Sequence, residues 1–228
     1  MKFAVIVAGG SGQRMGSATP KQFLILSGKP VLWYTLRAFL NAYDDLRAIL
    51  VLPAAHLPTG QEIVNSLEGY ERVTLCEGGD TRFQSVKNGL KHVPENAIVF
   101  VHDGVRCLVS ETLIRRCYDA TLIHGNAVPA IVPADSIRLD KDGSNSVLDR
   151  NFVRLIQTPQ TFKIETIRQA FEQEYNDSFS DEATVLERSG GSIFLVDGER
   201  TNLKITHPVD LLFAAQIINS KPQNNSGI

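Results

Sequence analysis

The apolar run Val5–Ile6–Val7–Ala8 passes straight into Gly9–Gly10–Ser11–Gly12–Gln13–Arg14–Met15–Gly16, with Pro20–Lys21 just downstream. Glycines let a backbone approach a ligand closely and adopt conformations that other residues avoid. Successive backbone N–H groups in such a turn form a concavity suited to anions. Arg14 adds a planar fork of donors and Lys21 a point charge. The chemistry these residues suit is the grip of a polyphosphate, with the main chain of Ala8, Gly9, Gly10 and Gly12 against it. Two familiar phosphate loops are excluded. A dinucleotide fingerprint needs glycine where Met15 stands, and a Walker loop needs Lys–Ser/Thr where Gly16 is followed by Ser17–Ala18. The plainer alternative is a surface turn with solvated cations.

Further constellations lie downstream. Gly78–Gly79–Asp80–Thr81–Arg82–Phe83–Gln84–Ser85 ends a strand and opens a helix, whose first N–H groups and positive dipole end favour anions. Ser85 is placed for a hydrogen bond to a base edge, and Gly78 and Asp80 complete a surface that could read one. An ordinary helix cap explains the same residues. Val101–His102–Asp103–Gly104–Val105–Arg106 ends another strand with an acid and a cation. Beside phosphates, Asp103 is a candidate magnesium ligand, because Mg²⁺ favours one or two carboxylates with phosphates and water. The alternative is an Asp–Arg surface pair, and His102 reads as structural. Ser136, Arg150 and Thr158 have the hydroxyl and cation character a polyol phosphate needs. Ser180–Asp181–Glu182–Ala183 reads as a helix start whose acids complement the dipole. Lys204, in Asn202–Leu203–Lys204–Ile205–Thr206, would project at the edge of a sheet.

These residues need a scaffold that gathers them. Phe3–Ala8, Ala48–Pro53, Val73–Cys76, Ile98–His102 and Ala127–Val132 are short, apolar and rich in Val and Ile. Val31–Leu40, Leu57–Leu67, Ser85–His92 and Thr112–His124 lie between them, with apolar residues at helical spacing. The alternation predicts an α/β fold, a mostly parallel Rossmann-like sheet flanked by helices. Ligands in such sheets bind beyond the carboxyl ends of the strands, which is where the glycine-rich and acidic motifs fall. Asp135 to Arg150 breaks the rhythm. Ser136–Leu139 and Val147–Leu148 flank a polar Asp–Gly tip, predicting a protruding β-hairpin arm over about residues 134–152. Helices are expected over Lys163–Tyr175 and Asp181–Arg188, a late strand over Ser192–Val196, and a last helix from Pro208 through Ile218. Residues 1–219 then form a single domain, with 220–228 a mobile polar tail.

Composition narrows the partners. The chain has 228 residues, 43% hydrophobic and 21% charged, with a formal charge of -2 and no basic run, so no nucleic-acid footprint is expected. No apolar run approaches the roughly 20 residues of a membrane span. Cys76, Cys107 and Cys117 are unpaired in pattern and odd in number. That predicts free thiols and a cytoplasmic protein.

In order and spacing, A-G-G-x-G-x-R-M, P-K-Q, G-G-x-x-R-x-x-S, H-D-x-x-R, T-P-Q, D-E-A and N-x-K-I-T resemble the 2-C-methyl-D-erythritol 4-phosphate cytidylyltransferase family, from Lys2 to about Ile218. The resemblance implies that a methylerythritol phosphate attacks the α-phosphorus of CTP and pyrophosphate leaves, a step of isoprenoid precursor synthesis by the non-mevalonate route. It implies Arg14 and Lys21 as stabilisers of transition-state charge, with Arg150 and Lys204 positioning the attacking phosphate. Ala8, Gly9, Gly10, Gly12, Gly78, Asp80, Ser85, Asp103 and Gly104 would bind nucleotide, and Arg106, Ser136, Arg150 and Thr158 the polyol phosphate. Mg²⁺ or another divalent cation is implied at Asp103. A homodimer is implied too, the arm carrying Ser136 and Arg150 into the neighbour's site. Two positions depart from the family pattern. Gly104 replaces an alanine, which is expected to widen the pocket slightly, and Ser136 stands where threonine is frequent. Ribitol-5-phosphate cytidylyltransferase is the alternative enzyme, and a non-catalytic nucleotide sensor the alternative from another class. Molybdenum-cofactor guanylyltransferases share the first loop without the later motifs.

Overall fold

The computed structural model describes residues 1–10, 15–16 and 19–220. The expected Gly12 and Arg14 contacts and the 221–228 part of the tail lie outside them. Four strands run parallel at the centre: β1 (Lys2–Val7), β4 (Leu46–Leu52), β5 (Val73–Glu77) and β6 (Ile98–Asp103). Between them run α1 (Val31–Ala42), α2 (Leu57–Asn65) and α3 (Arg82–Leu90). A two-stranded ribbon, β2 (Ile25–Leu26) with β3 (Lys29–Pro30), precedes α1. The sequence reading of these central elements holds, with boundaries shifted by a few residues.

Alternation along each central strand explains why they read as continuous apolar runs. Ala4 and Ile6 of β1, Ala48, Leu50 and Leu52 of β4, and Phe100 of β6 point to one face. There they meet Leu36, Phe39 and Leu40 of α1 and Ile63 and Val64 of α2. Phe3, Val5, Ile49, Val51, Val99 and Val101 point to the other face, against Phe83 and Val86 of α3. Both layers are shut from water, so neither face can carry a polar stripe.

Beyond β6 the sheet changes direction. α4 (Glu111–His124) leads to β7 (Asn126–Ile131), but β11 (Gln160–Lys163) lies between β6 and β7 and is antiparallel to both. β10 (Leu155–Ile156) pairs antiparallel with β7, and β12 (Leu195–Asp197) pairs parallel with it. The sheet order is β10-β7-β11-β6-β1-β4-β5, with β12 beside β7. The expected helix over Lys163–Tyr175 is thus replaced by the end of β11 and a short α5 (Ile164–Ala170). α6 (Glu182–Arg188) and α7 (Pro208–Ser220) follow the sequence reading.

The arm is β8 (Ile137–Lys141) paired with β9 (Ser144–Leu148). Its tip uses Asp142 and Gly143, both with positive φ (53° and 77°), a backbone that suits this Asp–Gly pair. Every residue from Arg138 to Phe152 is exposed, including Val147 at 74% and Phe152 at 87%.

Candidate active site

Because β1, β4, β5 and β6 are parallel, their carboxyl ends share one edge of the sheet. The segments leaving them line a cavity of about 300 Å³: Val7 to Gly10, Val51 to Pro53, Gly78 to Arg82, and Asp103 with Val105. Lys21, Gln22, Ser85 and Lys204 complete its wall. The predicted residues Ala8, Gly9, Gly10, Lys21, Gly78, Asp80, Ser85, Asp103 and Lys204 therefore meet in one hollow. A second cavity of about 180 Å³ adjoins it, lined by Arg106, Ile156 to Thr158, Gln160, Ser180 and Asp181. Arg82, Asp103 and Lys204 border both cavities.

Asp103 is the centre of this shared wall. Arg82 Nη2 lies 3.3 Å from Oδ1, while Arg106 Nε (3.3 Å) and Lys204 Nζ (3.0 Å) face Oδ2. Burial would raise this carboxyl's pKa, but Arg82, Lys204 and Arg106 together pull it far below the ordinary carboxylate range. Arg82 in turn forks onto Glu182, a carboxylate only 1% exposed at the start of α6. Burial pushes the Glu182 pKa up and Arg82 pulls it back. For Arg82, burial acts downward and the two carboxylates outweigh it, so its pKa rises further.

The anchors of the other cations are main-chain oxygens. Lys21 Nζ donates to the Ile205 carbonyl at 2.9 Å, and Arg106 Nη1 to the Asn202 carbonyl at 2.9 Å. Both carbonyls belong to the segment that carries Lys204, so three cations are tied to one stretch of chain. Gln22 donates to the Ala8 carbonyl at 2.7 Å, fixing the exit of β1. Asn202, fully buried, donates to the Thr158 carbonyl at 2.8 Å.

The structure refines several expectations and corrects two, those for Gly104 and for the D-E-A segment. Asp103 borders both cavities, with both its oxygens facing cations. Gly104 does not widen the pocket. A Cβ there would stand 2.8 Å from the Ala8 Cβ and 3.3 Å from the Val7 carbonyl, so the missing methyl lets the exits of β1 and β6 close together. The Ser85 hydroxyl is turned onto Gly79, accepting from its N–H at 3.1 Å. Ser136 and Arg150 line neither cavity; Arg150 donates to the Ala134 carbonyl at the base of the arm. The D-E-A segment does more than cap. Asp181 forms a capping box with Thr184, as its type suggests, but Glu182 is an inward ion-pair partner. Arg82 and Glu182 were missed as a pair. Each lies in a quoted motif, but nothing local joins residues 100 apart.

Comparison with known proteins agrees with this geometry. A family model described as IspD, 2-C-methyl-D-erythritol 4-phosphate cytidylyltransferase, matches residues 2–220. The chain belongs to that family. It is 42% identical over 218 residues to the enzyme of that name from Phocaeicola vulgatus, covering 95% of this chain and 99% of the relative. The Porphyromonas gingivalis relative is 40% identical over 220 residues, covering 96% and 98%. Among solved structures, 4-diphosphocytidyl-2C-methyl-D-erythritol synthase from Anaerococcus prevotii superimposes with a TM-score of 0.82 at 27% identity, covering 96% of this chain and 98% of the other.

Proposed function

We propose that this chain transfers the cytidylyl group of CTP to 2-C-methyl-D-erythritol 4-phosphate, giving 4-diphosphocytidyl-2-C-methyl-D-erythritol and pyrophosphate. The observation that carries this reading is the wall shared by two cavities, where Lys204 and Arg82 can meet an anion from either side. A phosphate oxygen of the polyol attacks the α-phosphorus, a new P–O bond forms, and the bond to the β-phosphate oxygen breaks. A phosphate oxygen is already nucleophilic at neutral pH, so a strong general base is unnecessary. The work is to hold two polyanions end to end and to offset charge gathering on the phosphoryl oxygens.

In this assignment the larger cavity takes the nucleotide. The main chain of Ala8 to Gly10, with Gly78, Asp80 and Ser85, lies along base and ribose, and Lys21 reaches the phosphates, joined by Arg14. The smaller cavity takes the polyol phosphate, with Arg106, Thr158 and Lys204. Gly104 supports the nucleotide side from beneath by its close packing. A divalent cation, Mg²⁺ in the simplest case, would offset charge on the CTP phosphates, with Asp103, on the wall between the two cavities, the residue that would hold it. Ser136 and Arg150 complete the site of a second subunit through the arm. The exposed Leu139, Val147, Leu148 and Phe152 support that homodimer. Three free, buried cysteines support a cytoplasmic setting. No helix among the described residues is long and apolar enough to cross a membrane.

Pyrophosphate release, measured over a panel of nucleotides and polyol phosphates with Mg²⁺ supplied, tests this reading. Turnover is expected with CTP and methylerythritol phosphate. Equal or better turnover with ribitol 5-phosphate would transfer the assignment to that enzyme. CTP binding with no pyrophosphate release from any pair would leave a sensor.

A further inference from the structure

His102 is fully buried one residue before Asp103, and its two ring nitrogens have defined partners. Nε2 lies 3.2 Å from the Arg106 carbonyl oxygen, which can only accept. Nε2 must therefore carry a hydrogen. In the neutral ring Nδ1 is then an acceptor, and it lies 3.0 Å from Thr158 Oγ1. Only the Thr158 hydroxyl hydrogen can fill that contact. The same oxygen accepts the Asp103 N–H at 3.1 Å. Strand register explains the meeting. Gln160 pairs with Val101 in the antiparallel β11–β6 ladder, so Thr158 comes opposite Asp103 and its side chain stands in for the next ladder acceptor.

A threonine hydroxyl has one hydrogen and two lone pairs. Here the hydrogen points to His102 and one lone pair takes the Asp103 N–H. Thr158 lines the smaller cavity, and all that its hydroxyl has left to offer a ligand is a lone pair. We propose that His102 is a positioning residue. Held as the Nε2–H tautomer by the Arg106 carbonyl, it makes Thr158 an acceptor toward the smaller cavity. Thr158 then selects a hydroxyl donor of the polyol rather than a phosphate oxygen. The phosphate is left to Arg106 and Lys204, on the same cavity wall. The ligand half of this inference rests on the function proposed above; the tautomer half does not.

The test has two arms. In ¹⁵N-histidine-labelled protein, with His102 assigned by His102→Asn, the ring is expected to show a protonated Nε2 and a bare Nδ1. The reverse tautomer, or a doubly protonated ring, overturns the proposal even if the enzyme is fully active. The second arm measures kcat/KM for methylerythritol phosphate analogues in which each hydroxyl is replaced in turn by hydrogen or by fluorine. At one position both replacements are expected to lower kcat/KM on the order of tenfold to a hundredfold, because fluorine cannot donate. Thr158→Val should abolish that penalty and Thr158→Ser restore it. A fluoro analogue that works where its deoxy counterpart fails makes Thr158 a donor and overturns the proposal. So does a penalty that persists in Thr158→Val. Absence of turnover in the wild type would instead sink the proposed function, leaving the tautomer arm standing.

Discussion

Glu182 is the least exposed charged group at the site, and Glu182→Gln isolates what it does. Glutamine keeps the volume and one acceptor oxygen but sets an NH₂ against a guanidinium N–H of Arg82. Removing one partner of a buried ion pair costs about 3–5 kcal/mol when both charges are dry. Arg82 keeps 31% of its side chain exposed and a second partner in Asp103, so water and that carboxylate compensate in part. A loss of about 2–3 kcal/mol follows. In a domain of this size each kcal/mol shifts Tm by roughly 2–4 °C, which gives a drop of about 4–12 °C. Thermal melting by circular dichroism reads this without reference to activity. Glu172→Gln is the control, its carboxylate lying 3.6 Å from Lys87 with 69% of the side chain exposed. It should change stability by less than about 0.5 kcal/mol. If the two variants melt together, Glu182 is not the anchor of Arg82 that its geometry implies.

Lys21→Ala should lower kcat by about 10²–10³-fold, by analogy with losing an oxyanion donor; an unchanged rate removes Lys21 from the chemistry. Arg150→Ala should raise KM for the polyol phosphate more than for CTP, and equal weakening of both in steady-state kinetics would contradict the division of roles. Gly104→Ala should cost about 1–3 kcal/mol in urea melts, the usual cost of overpacking, because its Cβ meets Ala8 at 2.8 Å; a neutral effect would show that the two strand exits can part freely. His102 has its pKa pushed down to about 3 by burial, from an ordinary 6.5. Between those values the unfolded chain binds the extra proton, so stability is complete above the unfolded pKa and falls with acidification by up to roughly 1.4 kcal/mol per pH unit. His102→Asn should flatten that slope between pH 6.5 and 5, and an unchanged slope would mean that His102 is not the group responsible.

What the sequence made legible was local. Val5–Ile6–Val7–Ala8 followed by glycines marks a buried parallel strand and its exit without knowledge of any neighbour. The Asp–Gly tip marks the arm in the same way. β11 escaped because Gln160–Thr161–Phe162–Lys163 mixes polar and apolar residues over four positions, too few to separate strand from the start of a helix. Its polar residues are buried for tertiary reasons. Gln160 donates to Asp181 at 2.8 Å and accepts from the Ala183 N–H at 2.8 Å, stitching the strand to α6. The same limit applies at the site. Arg106, Asp103 and His102 share a motif and could be read together, whereas Glu182 becomes a partner of Arg82 only when the sheet is folded. Gly104 illustrates the opposite error: a missing methyl suggests space, and the fold uses it for contact.

The carboxylates at the centre make best sense as holders of cations. Arg82, Arg106 and Lys204 converge on Asp103, with Glu182 behind Arg82. Left alone, three like charges around one hollow would repel, and their long side chains would turn to solvent. Two carboxylates hold them in place yet leave one positive charge over at the shared wall. Lys21 donates to the Ile205 carbonyl on the nucleotide side. Two further acids, Asp181 and Asp80, lie on the cavity walls outside this cluster of ion pairs. Asp181 is engaged by the Thr184 N–H and the Gln160 amide, and Asp80 lies exposed in the segment that follows β5. The site thus enters the reaction with its cations already fixed in place. That is the condition under which electrostatic stabilisation needs no reorganisation when the α-phosphorus is attacked.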